Sequence, residues 1–222
     1  MMICPETFYE MRLKGKTKEE IVTVIRSLKR EITKLKNTIE HPDYKYREWA
    51  IQPGEDVQLY MNREYLERAI KAYEETGGEY MPSKEEQKSI NFDADVQNIK
   101  KIVFSIGGFF GGYKTKTYTV NGEKINVEVT HTFKEKLSDD ECNLKEINKE
   151  YFLNSLEELH IGEWRKVYNT YRFGVAVMDG TSWNLEIYFS NGRRAVKIHG
   201  SNAYPYNFDR LLDLFAIDDI EL

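Results

Sequence analysis

The sequence predicts an α+β protein: an N-terminal antiparallel helical hairpin over residues 1–82, then an antiparallel β-sheet domain with helices on one face over residues 83–222. Three observations carry this expectation. Ile21, Ile25, Leu28, Ile32, Leu35 and Ile39 recur at spacings of 4,3,4,3,4, the apolar seam of a coiled-coil-like helix pair. Strand-like alternation begins only beyond Met81 and Pro82. Asn121-Gly122 and Asn191-Gly192 each join two such runs, and Asn-Gly between alternating runs is the strongest short hairpin signal.

Pro5 opens a short helix through Leu13, because proline is tolerated in a first turn, and Gly15 is placed to stop it. Thr17 and Glu20 match a capping box, so the long seam-bearing helix starts there and ends near His41 and Pro42. Its partner is the segment Glu55 to Thr76, where Leu59, Leu66, Ile70 and Tyr73 continue a similar stripe before Gly77 and Gly78. Ser83 and Glu86 cap one more short helix.

Ile102 to Ile106 reads as a buried strand, and Tyr113 to Val120 with Glu123 to Phe133 as a hairpin turning at Asn121 and Gly122. Tyr151, Phe152, Leu156 and Leu159 mark an amphipathic helix ending near Gly162. A second hairpin follows. With Asn191 and Gly192 as a two-residue turn, Ile187 faces Val196 and Leu185 faces Ile198, while Glu186 meets Lys197 on the opposite face. A connection from Gly200 to Pro205 leads into a last helix packed through Phe208, Leu211, Leu212 and Phe215, giving a sheet of four or five strands.

Composition excludes several classes. Charged residues are 31% and hydrophobic ones 41% of 222, the balance of a folded globular chain rather than a disordered one. No apolar run reaches the ~18 residues of a membrane span and the N-terminus lacks a secretory h-region, so no membrane partner and a cytoplasmic location are expected. Cys4 and Cys142 stand apart, as free thiols. The net charge of −5 is unevenly spread: Arg12 to Lys36 has nine Lys or Arg against three Glu, whereas Asn37 to Tyr80 has five against ten acidic residues.

Catalytic and cofactor signals are weak. Gly107, Gly108, Gly111 and Gly112 match neither GxGxxG nor the phosphate-binding loop and read as a bend or bulge in the sheet. His41, His131, His160 and His199 lack metal-ligand spacing, so no metal or cofactor is expected. Asp179, His199 and Asp209 would form a hydrolytic site only if loops brought them together; turn chemistry and a helix's first turn explain the two aspartates better.

Partner-binding signals are stronger. Arg26, Lys29, Arg30 and Lys34 cover the arc away from the seam, where they would meet phosphates or form a solvated helix face. Tyr46 and Trp49, beside Tyr44 in the adjoining loop, either pack that loop or supply the aromatics that interfaces concentrate. Arg193 and Arg194 form a second basic turn.

The stretch Met11-Arg-Leu-Lys-Gly-Lys-Thr-Lys-Glu-Glu-Ile21, with Ile25-Arg-Ser-Leu-Lys-Arg-Glu-Ile32, resembles the N-terminal region of uncharacterised accessory proteins of mobile elements in Gram-positive gut bacteria. Trp183 through Tyr188, Asn191-Gly192 and Gly200-Ser-Asn-Ala-Tyr-Pro205 resemble the C-terminal region of similar proteins. The resemblance implies an accessory gene of plasmids, phages or conjugative elements, a group that includes anti-CRISPR inhibitors, and assigns no catalytic residue. The expected function is therefore a non-enzymatic binding protein that inhibits or modulates a host protein or ribonucleoprotein, a CRISPR-Cas nuclease being the named candidate. The alternatives are a nucleic-acid binder or nuclease using the basic helix and C-terminal sheet, and a homodimer formed through the seam.

Overall fold

The computed structural model describes residues 3–44, 53–133, 147–177 and 179–217. Its contacts divide the chain into two units, Met1–Pro82 and Ser83–Leu222.

In the first unit a cysteine caps the first helix. Cys4 Sγ accepts from the Thr7 amide at 3.5 Å at the start of α1, Pro5–Arg12. Gly15 follows with φ +73° and ends the turn. Thr17 and Glu20 form the expected reciprocal capping box on α2, Lys18–Ile39. Ile21, Ile25, Leu28, Ile32 and Leu35 are buried, each worth about 1.5–3 kcal/mol relative to exposure.

The partner helix α3, Glu55–Glu75, runs antiparallel: Ile21 and Ile25 near the start of α2 share a cluster with Ala69 and Ala72 near the end of α3. Lys18 Nζ also reaches the Gly77 carbonyl at 2.8 Å. Here the structure differs from the predicted stripe. The fully buried positions on α3 are Leu59, Ala69 and Ala72, while Leu66, Ile70 and Tyr73 pack only partly buried beside them. Alanine contributes little to hydrophobic periodicity, yet its small side chain lets two helices approach. Because the seam packs on α3 of the same chain, a homodimer would need a different surface.

The second unit begins with α4, Lys84–Asp93, under the expected Ser83/Glu86 capping box. Its sheet has seven strands among the described residues, in the order β4-β3-β2-β1-β6-β7-β5, rather than four or five. The strands are β1 Ile99–Gly108, β2 Gly112–Asn121, β3 Lys124–His131, β4 Ile147–Asn148, β5 Val167–Asn169, β6 Ser182–Phe189 and β7 Val196–Ser201. The two that escaped the sequence are the edge strands β4 and β5, of two and three residues. Segments that short carry no alternation. All neighbours pair antiparallel except β5 with β7.

Two turns depart from expectation. Asn121 pairs with Lys124, so the β2–β3 turn is Gly122 and Glu123, one residue later than predicted. In the C-terminal hairpin the predicted pairs Ile187↔Val196, Glu186↔Lys197 and Leu185↔Ile198 are present. The ladder stops there, however, and residues 190–195 form a wider loop than a two-residue turn.

The core lies on one face. Ile102, Phe104 and Ile106 of β1 align with Ile187, Leu185 and Trp183 of β6, all buried. Over them lie α5, Lys149–Glu157, through Phe152, Leu153 and Leu156, and α6, Phe208–Leu214, through Phe208, Leu211 and Leu212. Tyr151, predicted to pack, is instead 69% exposed, and Leu153 takes its place. Aromatic contacts dominate: Phe215 stacks on Tyr118 at 4.6 Å, and Trp183 meets Phe208 at 4.8 Å. Two polar side chains buried in this core are paired, as burial favours: Trp164 Nε1 donates to Asn207 Oδ1 at 3.1 Å, and Asn207 donates to the Leu159 carbonyl at 2.7 Å. The Tyr118 hydroxyl donates to the Phe215 carbonyl at 2.8 Å, and burial pushes its pKa far up.

Candidate partner-binding surfaces

The sheet's other face is polar. Across it run Thr130, Thr115, Ser105, Asn184 and His199, set side by side by the ladder register. The Ser105 and Thr115 hydroxyls bond each other. In the next row Glu186 accepts from Tyr188, from Lys197 Nζ at 3.0 Å and from Asn184. Hydrogen bonds from Tyr188 and then Lys197 hold the Glu186 carboxyl below its usual range.

This geometry separates the hydrolytic candidates. His199 lies on the polar face, whereas Asp209 is on α6, whose Phe208 packs on the apolar face against Trp183. Asp179 sits in the turn before β6, its Oδ1 accepting from the Gly180 amide. The sheet stands between the histidine and Asp209. Asp209 is exposed, and partial desolvation, then the neighbouring Asp213, raises its pKa. Among the described residues no group of three or more His, Cys, Asp or Glu is placed to hold a metal ion, and no helix is long and apolar enough to cross a membrane.

The basic candidates fall into two kinds. Arg26, Arg30 and Lys34 are exposed on α2, and Lys34 lies 3.7 Å from Glu31. Lys29 is half-buried, its ammonium 5.0 Å from the centre of the Tyr80 ring. Arg193 is a structural pin. Its guanidinium meets Asp95 Oδ2 at 2.5 Å and the Asn91 carbonyl, and lies 4.9 Å from the Phe189 ring centre. The resulting hydrogen bond is the main cause that lowers the Asp95 pKa. Arg194 beside it is exposed. Tyr44 donates to Glu55 at 3.4 Å, while Tyr46 and Trp49 lie outside the described residues.

Sequence reasoning missed a third surface, at one end of the sheet. The glycine cluster is neither bend nor bulge but a hairpin: Gly108 pairs with Gly112, and Phe109, Phe110 and Gly111 form its tip. Gly107 is required by close approach, since a Cβ there would lie 2.0 Å from the Gly112 carbonyl oxygen. Phe109 and Phe110 stand out at 81% and 82% exposure, edge to face at 5.3 Å. Phe133, 69% exposed, lies against Gly112.

The ladder carries the same end across to the far edge: Gly107 pairs with Ser182, Ser182 with Ser201, and Ser201 with Asn169. Asn169 runs directly into a 3-10 turn, Thr170–Phe173, which presents Tyr171 at 70% exposure and Arg172. Phe109, Phe110, Phe133 and Tyr171 thus rim one end of the sheet, β5, which leads into Tyr171, lying three strand spacings, ~14 Å, from β1. The available signal was composition: two phenylalanines enclosed by four glycines have too little neighbouring side chain to be buried by their own turn. No protein-family model, curated protein or solved structure matches this chain.

Proposed function

We propose that this chain is a non-enzymatic binding protein that inhibits or modulates a host nucleoprotein machine, with a CRISPR-Cas nuclease as the named candidate. The aromatic end of the sheet carries the binding part of this reading. Leaving a phenylalanine in water rather than buried forfeits about 1.5–3 kcal/mol, and here several are displayed together on a glycine-shaped ladder. Exposed aromatics are what protein interfaces concentrate at their centres, and the Tyr171-Arg172 turn extends the same end of the sheet. The defence target rests on the resemblance of both ends of the sequence to accessory proteins of mobile elements.

An interference assay tests it. In a Gram-positive host with an active CRISPR nuclease, wild-type protein is expected to raise the establishment of a targeted plasmid, and the Phe109→Ser/Phe110→Ser variant is expected not to. Purified protein is expected to leave DNA and RNA intact with magnesium or manganese. Cleavage abolished by Asp179→Ala, His199→Ala or Asp209→Ala would replace the binding reading with an enzymatic one.

A further inference from the structure

From the outer face of α2 we infer that this helix binds the phosphodiester backbone of a nucleic acid, independently of sequence. At 100° per residue, an arc of roughly 120° centred opposite the buried seam holds Thr23, Arg26, Ser27, Arg30, Thr33 and Lys34, between Glu19 in the first turn and Asn37 in the last. All six are exposed. Arg26, Arg30 and Lys34 repeat every four residues, so their Cα atoms step ~6 Å at a time along ~12 Å of helix. Neither Arg26 nor Arg30 forms an ion pair with a described residue. Glu31 is the one carboxylate between Glu20 and Glu40, and it pairs with Lys34 only at 3.7 Å.

What the arc lacks identifies its partner. None of the six residues is apolar, whereas protein interfaces derive most of their energy from buried aromatic and aliphatic anchors. Phosphate contacts need only cations and hydroxyls, and arginine, serine and threonine are among the residues that supply them. The exposed face of α3 bears Asp56, Glu67, Glu74 and Glu75, so a second copy of the chain is the competing occupant. This inference stands on a different unit from the aromatic end and does not depend on it.

Binding of the full chain to a labelled mixed-sequence 20-base-pair DNA duplex and to an RNA hairpin, measured against salt, tests it. Three phosphate contacts predict a log–log slope of about −2.7 on duplex DNA, so affinity falls about 40-fold between 50 and 200 mM salt. Arg26→Glu/Arg30→Glu/Lys34→Glu is expected to weaken binding at 50 mM salt at least ~10-fold and flatten the slope, with an unchanged melting temperature. The neutral variant Arg26→Gln/Arg30→Gln/Lys34→Gln gives the same test if the reversal fails to fold. The two probes distinguish DNA from RNA as the source of the phosphates. No binding to either, equal binding by the variants, or equal displacement by poly-glutamate would overturn the inference. So would self-association that the same substitutions disperse.

Discussion

The two units solve the same problem, covering an apolar face, with opposite materials. The helical hairpin sets one line of isoleucine and leucine against Leu59, Ala69 and Ala72 with Phe8 as its one buried aromatic among the described residues, and its outer surface is charged on both helices. The sheet domain fills its core with Trp164, Trp183, Phe104, Phe152, Phe208 and Phe215, yet displays Phe109, Phe110, Phe133 and Tyr171 at one end. Aromatic residues are therefore sorted by register in the second unit. Those under the helices hold the fold; those past the last ladder pair are free to meet a partner. A charged helix face and an aromatic sheet end suit different ligands, which is why the two surfaces are assigned different chemistry.

Substitutions inside each core should break the comparison most strongly. Phe104 is fully buried against Phe208 and Phe215, so Phe104→Ala is expected to cost about 3–5 kcal/mol by chemical denaturation. Leu28→Asp places a carboxylate in the seam and should cost about 3 kcal/mol, read as lost helical circular dichroism. An unchanged melting temperature for Leu28→Asp would mean that the seam does not support the hairpin.

A smaller effect is expected where one hydrogen bond is removed. Trp164→Phe keeps an aromatic ring but leaves the buried Asn207 Oδ1 without its indole donor, at a cost of about 1–3 kcal/mol for the unmet hydrogen bond, to which the void left by the smaller ring adds. Acid should also act on the loop at residues 190–195. Because Asp95 has a lowered folded-state pKa, the stability it supplies is complete above the ordinary aspartate range near pH ~4 and disappears as pH falls through the lower folded value. Asp95→Asn should remove that part of the acid dependence, measured by melting between neutral pH and pH ~2.

Legibility followed the range of the interactions. The capping boxes at Thr17/Glu20 and Ser83/Glu86, and the Leu185–Ile187 register against β7, are set within a few turns or one hairpin, and all were readable. Strand order was not. The β1–β6 pairing joins residues about eighty positions apart, and β4 and β5 gain their identity only from the strands they edge. The same distinction applies to the surfaces. The outward placement of Arg26, Arg30 and Lys34 follows from helical spacing alone. Arg193 resembles them in sequence but is held by Asp95, 98 residues away, and nothing local announces that. The aromatic rim joins three segments through the ladder, so only its Phe109-Phe110 tip left any trace in the sequence.

The smallest expected stability change belongs to the substitution with the largest expected effect on binding. Phe109→Ser/Phe110→Ser should alter unfolding by no more than about 0.5 kcal/mol, because both side chains lie outside the core. Affinity capture from a CRISPR-bearing host, with RNA retained and wild type compared quantitatively with this variant, tests the central claim most directly. Wild type is expected to retain a CRISPR effector and the folded double variant to retain it at least ~10-fold less, the loss of one to two buried anchors. Equal retention by the two proteins, or no effector retained by wild type, would contradict it.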